Sequence, residues 1–451
     1  MVIFSVMNKK HFAAAVAAMV VSVSSAVSAS VLTVDTTKTI GPVKPVNGVG
    51  QPPMLGALGG WYMLHFLKEA GIPYSRLQDV GGWLGGGLYV DIPNLFPDFA
   101  ADENDPKNYR FAYTDNLISK LIENGVEPFF RLGITIENFV GNGFPGMRVD
   151  PPSDYAKWSR VAEHVIAHYT EGWADGFKHK IEYWEIWNEP ENDPDPEKNP
   201  MWHGDWKSFC DFYAVVAPHL KKRFPALKIG GYASCGFYNA VASKPVWAAN
   251  CSERLDYFVD CAKIFLQRAK KENWPLDFFS FHSYSSPEVA MEQVRFADKL
   301  LTEHGFPREK TERIFNEWLP SPSWDRLGTD AQAADIAWEL VELQNGPCDL
   351  ACIYDARCGV SMYSPLFNSF TRQPHKAYEA FLAFNELRKL GTAVACTAEP
   401  PLHAAAAAKD GKLAALVVNP SEKPLEVEVR GIPGCTSVTL APHAFRVLSA
   451  E

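Results

Sequence analysis

The sequence predicts an α/β protein, in which a (β/α)8 barrel is followed by a small β-sandwich-like domain. Between about residues 45 and 385, short β-rich runs alternate with longer segments of helical period, which indicates repeated βα units and a parallel sheet. Eight such units are visible, and eight is the number that closes a barrel. After Leu390 the pattern changes to short strands alone. The predicted boundaries are 41–388 for the barrel and 389–451 for the β-rich domain.

The eight barrel strands are predicted from short runs rich in β-branched and aromatic residues. In order they are Val46–Gly50, Tyr74–Leu77, Glu127–Leu132, Ile181–Trp187, Leu227–Gly231, Phe278–His282, Arg313–Phe315 and Leu350–Tyr354. Helical period is clear between them, as in the apolar series Trp158, Val161, Val165 and Tyr169. Thr329 and Gln332 have the spacing of a capping box and predict the start of another helix.

The last sixty or so residues predict a thin β-structure. Its strands are Thr392–Thr397, His403–Ala407, Lys412–Val418, Leu425–Val429, Ser437–Leu440 and Phe445–Leu448. Asp410-Gly411 is a hairpin signal between two of them. A domain of this size buries little surface by itself. We therefore expect the β-like segment Val31–Ile40 to pair with it and the whole to pack on the barrel.

Composition and charge narrow the class of protein. The chain has 451 residues, of which 47% are hydrophobic and 21% charged, as in ordinary globular proteins. Its 43 Lys and Arg residues against 53 Asp and Glu residues give a net charge of −10. Such a balance argues against non-specific binding to nucleic acid or to anionic membranes.

Residues 1–29 have the pattern of a secretory signal peptide. Lys9 and Lys10 precede the apolar run Phe12–Val23, and Val27–Ala29 is a small-residue cleavage site. The apolar run is too short to span a bilayer. The sequence thus predicts a periplasmic or secreted protein. The nine cysteines lack the paired spacing of a structural zinc site, and a Cys396–Cys435 bridge is one open pairing.

Two of the predicted barrel strands end in glutamate. The fourth run is followed by Asn188-Glu189-Pro190 and the seventh by Asn316-Glu317-Trp318. Working groups of such barrels sit at the carboxyl ends of the strands, and strands four and seven face each other across the barrel mouth. Cleavage of a glycosidic bond needs two facing carboxylates, one as acid and one as nucleophile. The sequence therefore predicts this chemistry at the mouth.

Less specific interpretations compete with this one. A single glutamate at a strand end is commonly a structural, salt-bridged residue, and Glu182 and Glu185 are predicted to be of that kind. The glycine-rich stretch 81–87 lacks the Lys-Ser/Thr ending of a phosphate-binding loop, and we interpret it as a mobile loop at the mouth. His203 and His375 have no partners at ligand spacing. No metal and no cofactor is predicted.

The segment Trp184–Pro190, followed by Asn316-Glu317-Trp318, resembles clan A of the glycoside hydrolases. Within the clan the chain is most similar to family 39, which contains β-xylosidases and α-L-iduronidases; the similarity spans about residues 31–451. The opening 46–50, the segment 277–284 and the β-rich tail carry that closer resemblance. It implies a barrel enzyme that retains anomeric configuration.

The resemblance assigns roles to five residues. Glu189 corresponds to the acid/base and Glu317 to the nucleophile. Asn188 corresponds to the residue that hydrogen-bonds the sugar hydroxyl beside the anomeric carbon. Arg76 resembles the arginine that keeps the nucleophile ionised, and Tyr284 resembles the phenol that hydrogen-bonds it.

Further residues are expected near the sugar. His282 resembles a sugar contact of the family, although a core histidine is the alternative. Trp318 is one of several aromatic residues in the predicted βα loops that could stack on a sugar or pack in the core. The chain departs from the family pattern near Asp79, where relatives carry a histidine, and it lacks a Trp after the eighth strand, which Tyr354 or Phe370 could replace.

Taken together, these features predict a secreted, retaining exo-glycosidase acting on β-xylosides or related equatorial glycosides. An α-L-arabinosidase, a β-glucosidase or galactosidase, or an endo-acting polysaccharide hydrolase is the alternative within the clan. An iduronidase is disfavoured because no cluster of Lys or Arg is apparent at the predicted mouth. A non-catalytic carbohydrate-binding barrel is the alternative of another class. The partner is a glycoside or oligosaccharide, and the oligomeric state is open.

Overall fold

The computed structural model describes residues 30–53, 63–80, 89–136, 149–243, 245, 248 and 251–450. These residues form a closed barrel of eight parallel strands and a seven-stranded sheet. The predicted fold class is thereby confirmed. The predicted export signal, 1–29, and the glycine-rich stretch, 81–87, lie outside the described residues.

The barrel closes because its first strand pairs with both the second and the last. Its strands are β2 (Gly48–Gly50), β3 (Tyr74–Arg76), β4 (Glu127–Leu132), β5 (Tyr183–Ile186), β6 (Lys228–Ser234), β7 (Phe278–Ser283), β8 (Glu312–Trp318) and β9 (Leu350–Ile353). Every predicted run falls on one of these strands. The largest differences are in β6 and β8, each of which continues three residues beyond its predicted end, at Gly231 and Phe315.

The helices lie between the strands, with their apolar faces toward the barrel. They are α1 (Leu64–Glu69), α2 (Ile92–Leu95), α3 (Ala112–Glu123), α4 (Tyr155–Thr170), α5 (Trp206–Arg223), α6 (Ser252–Glu272), α7 (Pro287–Glu303), α8 (Asp330–Asn345) and α9 (Lys376–Leu390). The predicted cap of α8 is present, since the Thr329 hydroxyl accepts from the Gln332 amide at 3.2 Å. Among the helices of the described residues, none has the length and apolar character needed to cross a membrane.

The seven-stranded sheet joins the beginning of the described chain to its end. Its strands are β1 (Ser30–Pro42), β10 (Thr392–Ala398), β11 (His403–Lys409), β12 (Lys412–Asn419), β13 (Leu425–Arg430), β14 (Ser437–Leu440) and β15 (Ala444–Ala450). Their order in the sheet is β14-β13-β1-β10-β11-β12-β15. Strand β1 is antiparallel to β10 and parallel to β13, so it lies inside the sheet. Helices α8 and α9 pack against β11 and β12 and hold the sheet on the barrel.

Local signals explain two details of this sheet. Asp410 and Gly411 both have positive φ, 51° and 83°, which is the two-residue turn that joins β11 to β12. All nine cysteines lie in the described part of the chain and are free thiols. The Cys396–Cys435 pairing that the sequence left open is therefore not formed.

The barrel interior is divided into two layers. The amino-terminal layer is apolar and consists of Phe129, Tyr183, Phe278, Ile314, Leu350 and Cys352, with Tyr74 packed against them. Side chains two residues farther along a strand point the same way. A strand that contributes a residue to this apolar layer therefore also contributes an inward side chain one layer closer to the barrel mouth.

One buried acid on helix α8 has no hydrogen-bond partner in the part of the chain that the structure describes. Glu339, on α8, is fully buried, and neither carboxylate oxygen has a hydrogen-bond partner among the described residues. Burial raises the pKa of Glu339 well above its usual value, and the nearby acids Asp335 and Glu288 add to this effect. The folded protein thus keeps Glu339 protonated at pH values where the unfolded chain releases the proton.

We expect Glu339→Met to increase the free energy of unfolding at pH 7 by about 1–3 kcal/mol, the cost of an unsatisfied buried polar group. The gain should shrink as pH falls, because below the unfolded pKa both states are protonated and only the pH-independent cost of the unpartnered neutral carboxyl remains. Denaturant unfolding of both proteins between pH 4 and 8 measures it. Glu339→Gln removes the titrating group but keeps a polar side chain. Its gain in the free energy of unfolding should therefore depend on pH in the same way as that of Glu339→Met. A difference that does not change with pH would contradict this account.

Candidate active site

A layer of polar side chains lies next to the apolar layer, on the side of the barrel mouth. Two residues beyond Tyr74, Tyr183 and Ile314 come Arg76, Glu185 and Asn316, and all three are fully buried. Beyond Phe278, strand β7 places Ser280 and then His282 on the same side. The alternation of β-strands therefore collects these polar groups at one level of the barrel.

Arg76 connects three of the groups at this level. Its Nε donates to Glu185 Oε2 at 2.7 Å, Nη1 to Glu317 Oε1 at 2.7 Å, and Nη2 to Asn188 Oδ1 at 2.6 Å. Since a guanidinium has only donors, it fixes the orientation of the Asn188 amide. The Asn188 oxygen is turned toward Arg76 and its NH2 group away from it. Of the sequence-predicted residues, Arg76, Asn188 and Glu317 are thus brought together.

Glu185 is the structural acid that the sequence analysis expected. Besides the Arg76 bond, its Oε1 accepts from Ser280 Oγ and from Asn316 Nδ2, each at 2.6 Å. Glu182 lies at the other end of β5 and pairs with Lys228 at 2.8 Å. Both acids are therefore held by structural contacts away from the opening.

A bulge in β8 places Glu317 at the mouth. The register with β7 runs from Phe281↔Phe315 directly to His282↔Glu317, so Asn316 is the extra residue. This irregularity allows two consecutive side chains, Asn316 and Glu317, to reach the interior of the barrel. The Tyr284 hydroxyl donates to Glu317 Oε2 at 2.6 Å, as the resemblance implies.

Glu189 follows β5 on the opposite side of the mouth. Its φ is 46° and that of Trp187 is 72°, two left-handed conformations that are uncommon outside glycine and cluster at functional sites. The backbone turns at Glu189, and Asn192 N donates back to Glu189 O at 3.1 Å. This turn brings Asn192 Nδ2 to Glu189 Oε2, at 2.7 Å.

His282 lies between the two carboxylates. Its Nδ1 is 2.7 Å from Glu189 Oε1 and 3.4 Å from Glu317 Oε2. The ring is fully buried and contacts the two acids, and the sugar-contact role suggested by the resemblance stays a prediction. Burial lowers the pKa of His282 to about 4, and the imidazole is therefore neutral near pH 7.

The two carboxylates are close enough to act on one small group. One ligand atom each from Glu189, His282 and Glu317 lie within 4.8 Å of one another. In the described part of the chain, this trio is the group whose spacing would also allow a metal ion. Arg76 already supplies a positive charge to Glu317 at 2.7 Å, however, and His282 already contacts both acids. The donor set is therefore engaged internally, and the arrangement suits acid–base and nucleophilic chemistry.

The surroundings affect the two acids differently. Burial raises the pKa of Glu189 to about 6, although the Asn192 hydrogen bond, Arg254 and Arg76 oppose the shift. Burial also raises the pKa of Glu317, against the opposing effects of His282, Arg76 and the Tyr284 hydrogen bond. Glu317 has both a cation and a phenol on its oxygens, whereas Glu189 has an amide and a neutral imidazole. Glu317 is the better stabilised carboxylate.

Trp318 lies on a strand and packs in the core. It was predicted in a βα loop, with sugar stacking and core packing as alternatives, but it is the last residue of β8 and its side chain is fully buried. Tyr354, considered as a replacement platform, is also buried and donates to Asp79 Oδ2 at 2.9 Å. Phe370 remains 85% exposed.

A cavity of about 920 Å³ opens beside Glu189 and Tyr284. Its wall includes Tyr238, Ser285, Ser321 and Tyr363, so it offers several hydroxyl groups. It also includes Arg254 and Arg326. The expectation that no arginine or lysine cluster lies at the mouth is therefore wrong in this respect.

Sequence reasoning missed several groups. Asn192 has a detectable signal, since a residue three positions after a turn-forming glutamate can return to it. Ser280 also has one, because it precedes His282 by two positions on the same strand. Arg254 has none, because it comes from the first turn of α6, 62 positions from Asn192, whose backbone and side-chain oxygens it contacts.

Comparison with known proteins identifies the same family as the sequence resemblance. The family description "Glycosyl hydrolases family 39" matches residues 87–326. A curated relative, a β-xylosidase from Geobacillus stearothermophilus, is 24% identical over 254 residues. That match covers 49% of this chain and 44% of the relative, so it spans less than half the length of that protein.

Solved structures agree with the fold. A glucosidase from Croceicoccus marinus superposes with a TM-score of 0.71 at 19% identity, covering 93% of this chain and 98% of its own. A family 39 β-xylosidase from Caulobacter crescentus gives a TM-score of 0.60 at 18% identity, with 89% and 84% coverage. An α-L-arabinofuranosidase from Thermotoga maritima gives 0.61 at 14% identity, with 93% and 99% coverage.

The central arginine should be important for stability. Arg76→Met leaves Glu185 as a fully buried acid without its cation, and we expect the free energy of unfolding to fall by about 3–5 kcal/mol. Denaturant unfolding at pH 7 measures the loss. Lys120→Met is the matched control, because the Lys120–Glu123 pair is similarly close, 2.6 Å against 2.7 Å for Arg76–Glu185, but is exposed. That variant should lose less than about 1 kcal/mol. Equal losses in the two variants would refute the structural role of Arg76.

Proposed function

The chain belongs to glycosyl hydrolases family 39, and on that premise we propose that it is a retaining exo-glycosidase that hydrolyses β-xylosides or closely related glycosides. The observation that carries the proposal is the pair Glu189 and Glu317, whose ligand atoms lie within 4.8 Å with His282 between them. Retaining enzymes have carboxyl groups about 5–5.5 Å apart, whereas inverting enzymes need about 6.5–9.5 Å to admit a water. The short spacing supports attack by a carboxylate.

In the first step Glu317 attacks the anomeric carbon and Glu189 protonates the leaving oxygen. Arg76 and the Tyr284 phenol keep Glu317 ionised, and the burial-raised pKa of Glu189 keeps that acid protonated in mildly acidic solution. The Asn188 NH2 group, turned away from Arg76, is oriented to donate to the sugar hydroxyl beside the reacting carbon. This hydrogen bond strengthens as positive charge develops in the transition state.

In the second step the roles reverse. Once Glu317 is esterified its negative charge is gone, and Arg76 and Arg254 then lower the pKa of Glu189 without the opposing charge of Glu317. Glu189 becomes the base that takes a proton from the attacking water. His282 remains neutral throughout, so it positions both acids without competing for the proton.

The site of action and the range of substrates are further parts of the proposal. We propose that the chain is exported, on the basis of the signal-peptide pattern at 1–29. The arabinosidase, glucosidase and galactosidase alternatives differ in the glycone, whereas an endo-acting hydrolase differs in cleaving within a polysaccharide chain. A panel of aryl pentosides and hexosides distinguishes them. No hydrolysis of any member would favour the non-catalytic carbohydrate-binding alternative.

The two carboxylates should respond differently to removal. We expect Glu317→Ala to abolish hydrolysis, and azide to restore turnover to a glycosyl azide of inverted configuration. Glu189→Ala should lower kcat/KM by about 10²–10⁴ for leaving groups that need a proton and far less for those that do not. NMR of the products and a series of aryl leaving groups measure both effects. Glu182→Ala, a glutamate bound to Lys228 outside the mouth, is the control and should stay active.

The pH profile should report the environment of Glu189. Its pKa of about 6 predicts that kcat/KM falls as pH rises through about 6, because the acid is then deprotonated. In Asn192→Ala the carboxylate loses a donor, so the pKa should rise and the alkaline limb should move to higher pH. Asn104→Ala is the control, since Asn104 donates to the exposed Asp102 at 3.0 Å. An unchanged limb in Asn192→Ala would contradict the assignment of this limb to Glu189.

A further inference from the structure

The cavity beside Glu189 contains an arginine, Arg254, that has no acidic partner among the residues that the structure describes. Arg254 donates from Nε to Asn192 O at 2.5 Å and from Nη2 to Asn192 Oδ1 at 2.7 Å. Its Nη1 makes no hydrogen bond to the described residues, and no carboxylate among those residues lies within ion-pair distance of it. In a protein with a net charge of −10, a partly exposed arginine that lacks a counter-ion within the described ranges and lies beside an open cavity requires an explanation.

Arg326, on the wall of the same cavity, shows the usual arrangement. Its Nη2 is 2.6 Å from Asp335 Oδ2, so its charge is compensated within the protein. Glu189 is the one acid among the described residues that line this cavity. Because Glu189 must be protonated to act as the acid, the wall carries an uncompensated positive charge when a substrate arrives.

We propose that this cavity is a leaving-group subsite for an acidic sugar, in which Arg254 binds the carboxylate of a uronic acid residue. The inference rests on the proposed function and adds the chemical class of the group that departs. The guanidinium presents planar N–H donors that match the two oxygens of a carboxylate, which a neutral sugar cannot exploit.

The position of Arg254 fits such a substituent. Asn192 alone separates the guanidinium from Glu189, with 2.7 Å hydrogen bonds on both sides of its amide. Arg254 Nη2 is therefore no more than about 8 Å from the acid, a distance set by two hydrogen bonds and one amide group. A leaving sugar whose bridging oxygen meets Glu189 extends its ring substituents over this distance into the same cavity.

The charge of such a substrate would also assist the reaction. Arg254 lowers the pKa of Glu189, which works against protonation of the acid in the first step. A carboxylate bound to Arg254 compensates that charge at short range. The acidic leaving group would thus help to keep Glu189 protonated, and its departure would restore the influence of Arg254 when Glu189 must act as a base.

The test compares two disaccharides that share the glycone hydrolysed best in the panel and end in glucuronate or in glucose. We expect kcat/KM to favour the glucuronate by about tenfold or more, the value of one charge-assisted hydrogen bond. Arg254→Gln should reduce this ratio to about one, and Arg254→Lys should retain part of it. The ratio of dissociation constants, measured by calorimetry on the Glu317→Ala variant, should follow the same order without turnover.

Two controls separate the subsite from the catalytic machinery. Arg326→Gln should leave the ratio between the two disaccharides unchanged, because that arginine is already paired. Glu182→Ala should also leave the ratio unchanged, because Glu182 is bound to Lys228 outside the mouth. Hydrolysis of both disaccharides at equal kcat/KM, or a ratio that survives Arg254→Gln, would overturn the inference and leave the proposed function intact. If no glycoside is hydrolysed, the proposed function fails, and the calorimetric ratio then decides the subsite separately.

Discussion

The arrangement of the site depends on the burial of one guanidinium inside the barrel. Each of the three nitrogens of Arg76 donates to a different acceptor. The acceptors are Glu185 on β5, Asn188 just after β5, and Glu317 on β8. A flexible ammonium cannot hold three groups in a fixed plane in this way. Burial of such a charge is tolerated only when its partners are bound as well. Ser280, Asn316 and Tyr284 complete that requirement by donating to Glu185 and Glu317.

Burial also makes the two carboxylates at the mouth, Glu189 and Glu317, differ in how easily each ionises. Both pKa values are raised by loss of water, but the partners differ, with a cation and a phenol on Glu317 and an amide and a neutral ring on Glu189. The interior therefore tolerates one negative charge at the mouth more easily than two. Such a site can keep Glu317 ionised while Glu189 is protonated. When the charge of Glu317 is removed, Glu189 can ionise in its turn.

Much of this was predictable from the sequence, and the remainder has identifiable physical causes. The eight strands and the glutamates that end two of them follow from periodicity and from the position of Asn-Glu pairs. Local periodicity cannot reveal a bulge, so it did not show that Asn316 and Glu317 both reach the interior or that Trp318 is buried. Arg254 reaches Asn192, the partner of Glu189, from a helix far along the chain, and no local pattern records a contact of that kind.

The central position of β1 has a consequence for biosynthesis. This strand is made before the barrel, but both of its neighbours in the sheet, β10 and β13, are made after it. It must remain unpaired while the ribosome completes some 350 intervening residues. Chains that stop early would keep a strand with two open edges, which is prone to aggregation. Premature termination near the end of translation is therefore expected to be more harmful than the small size of the missing segment suggests.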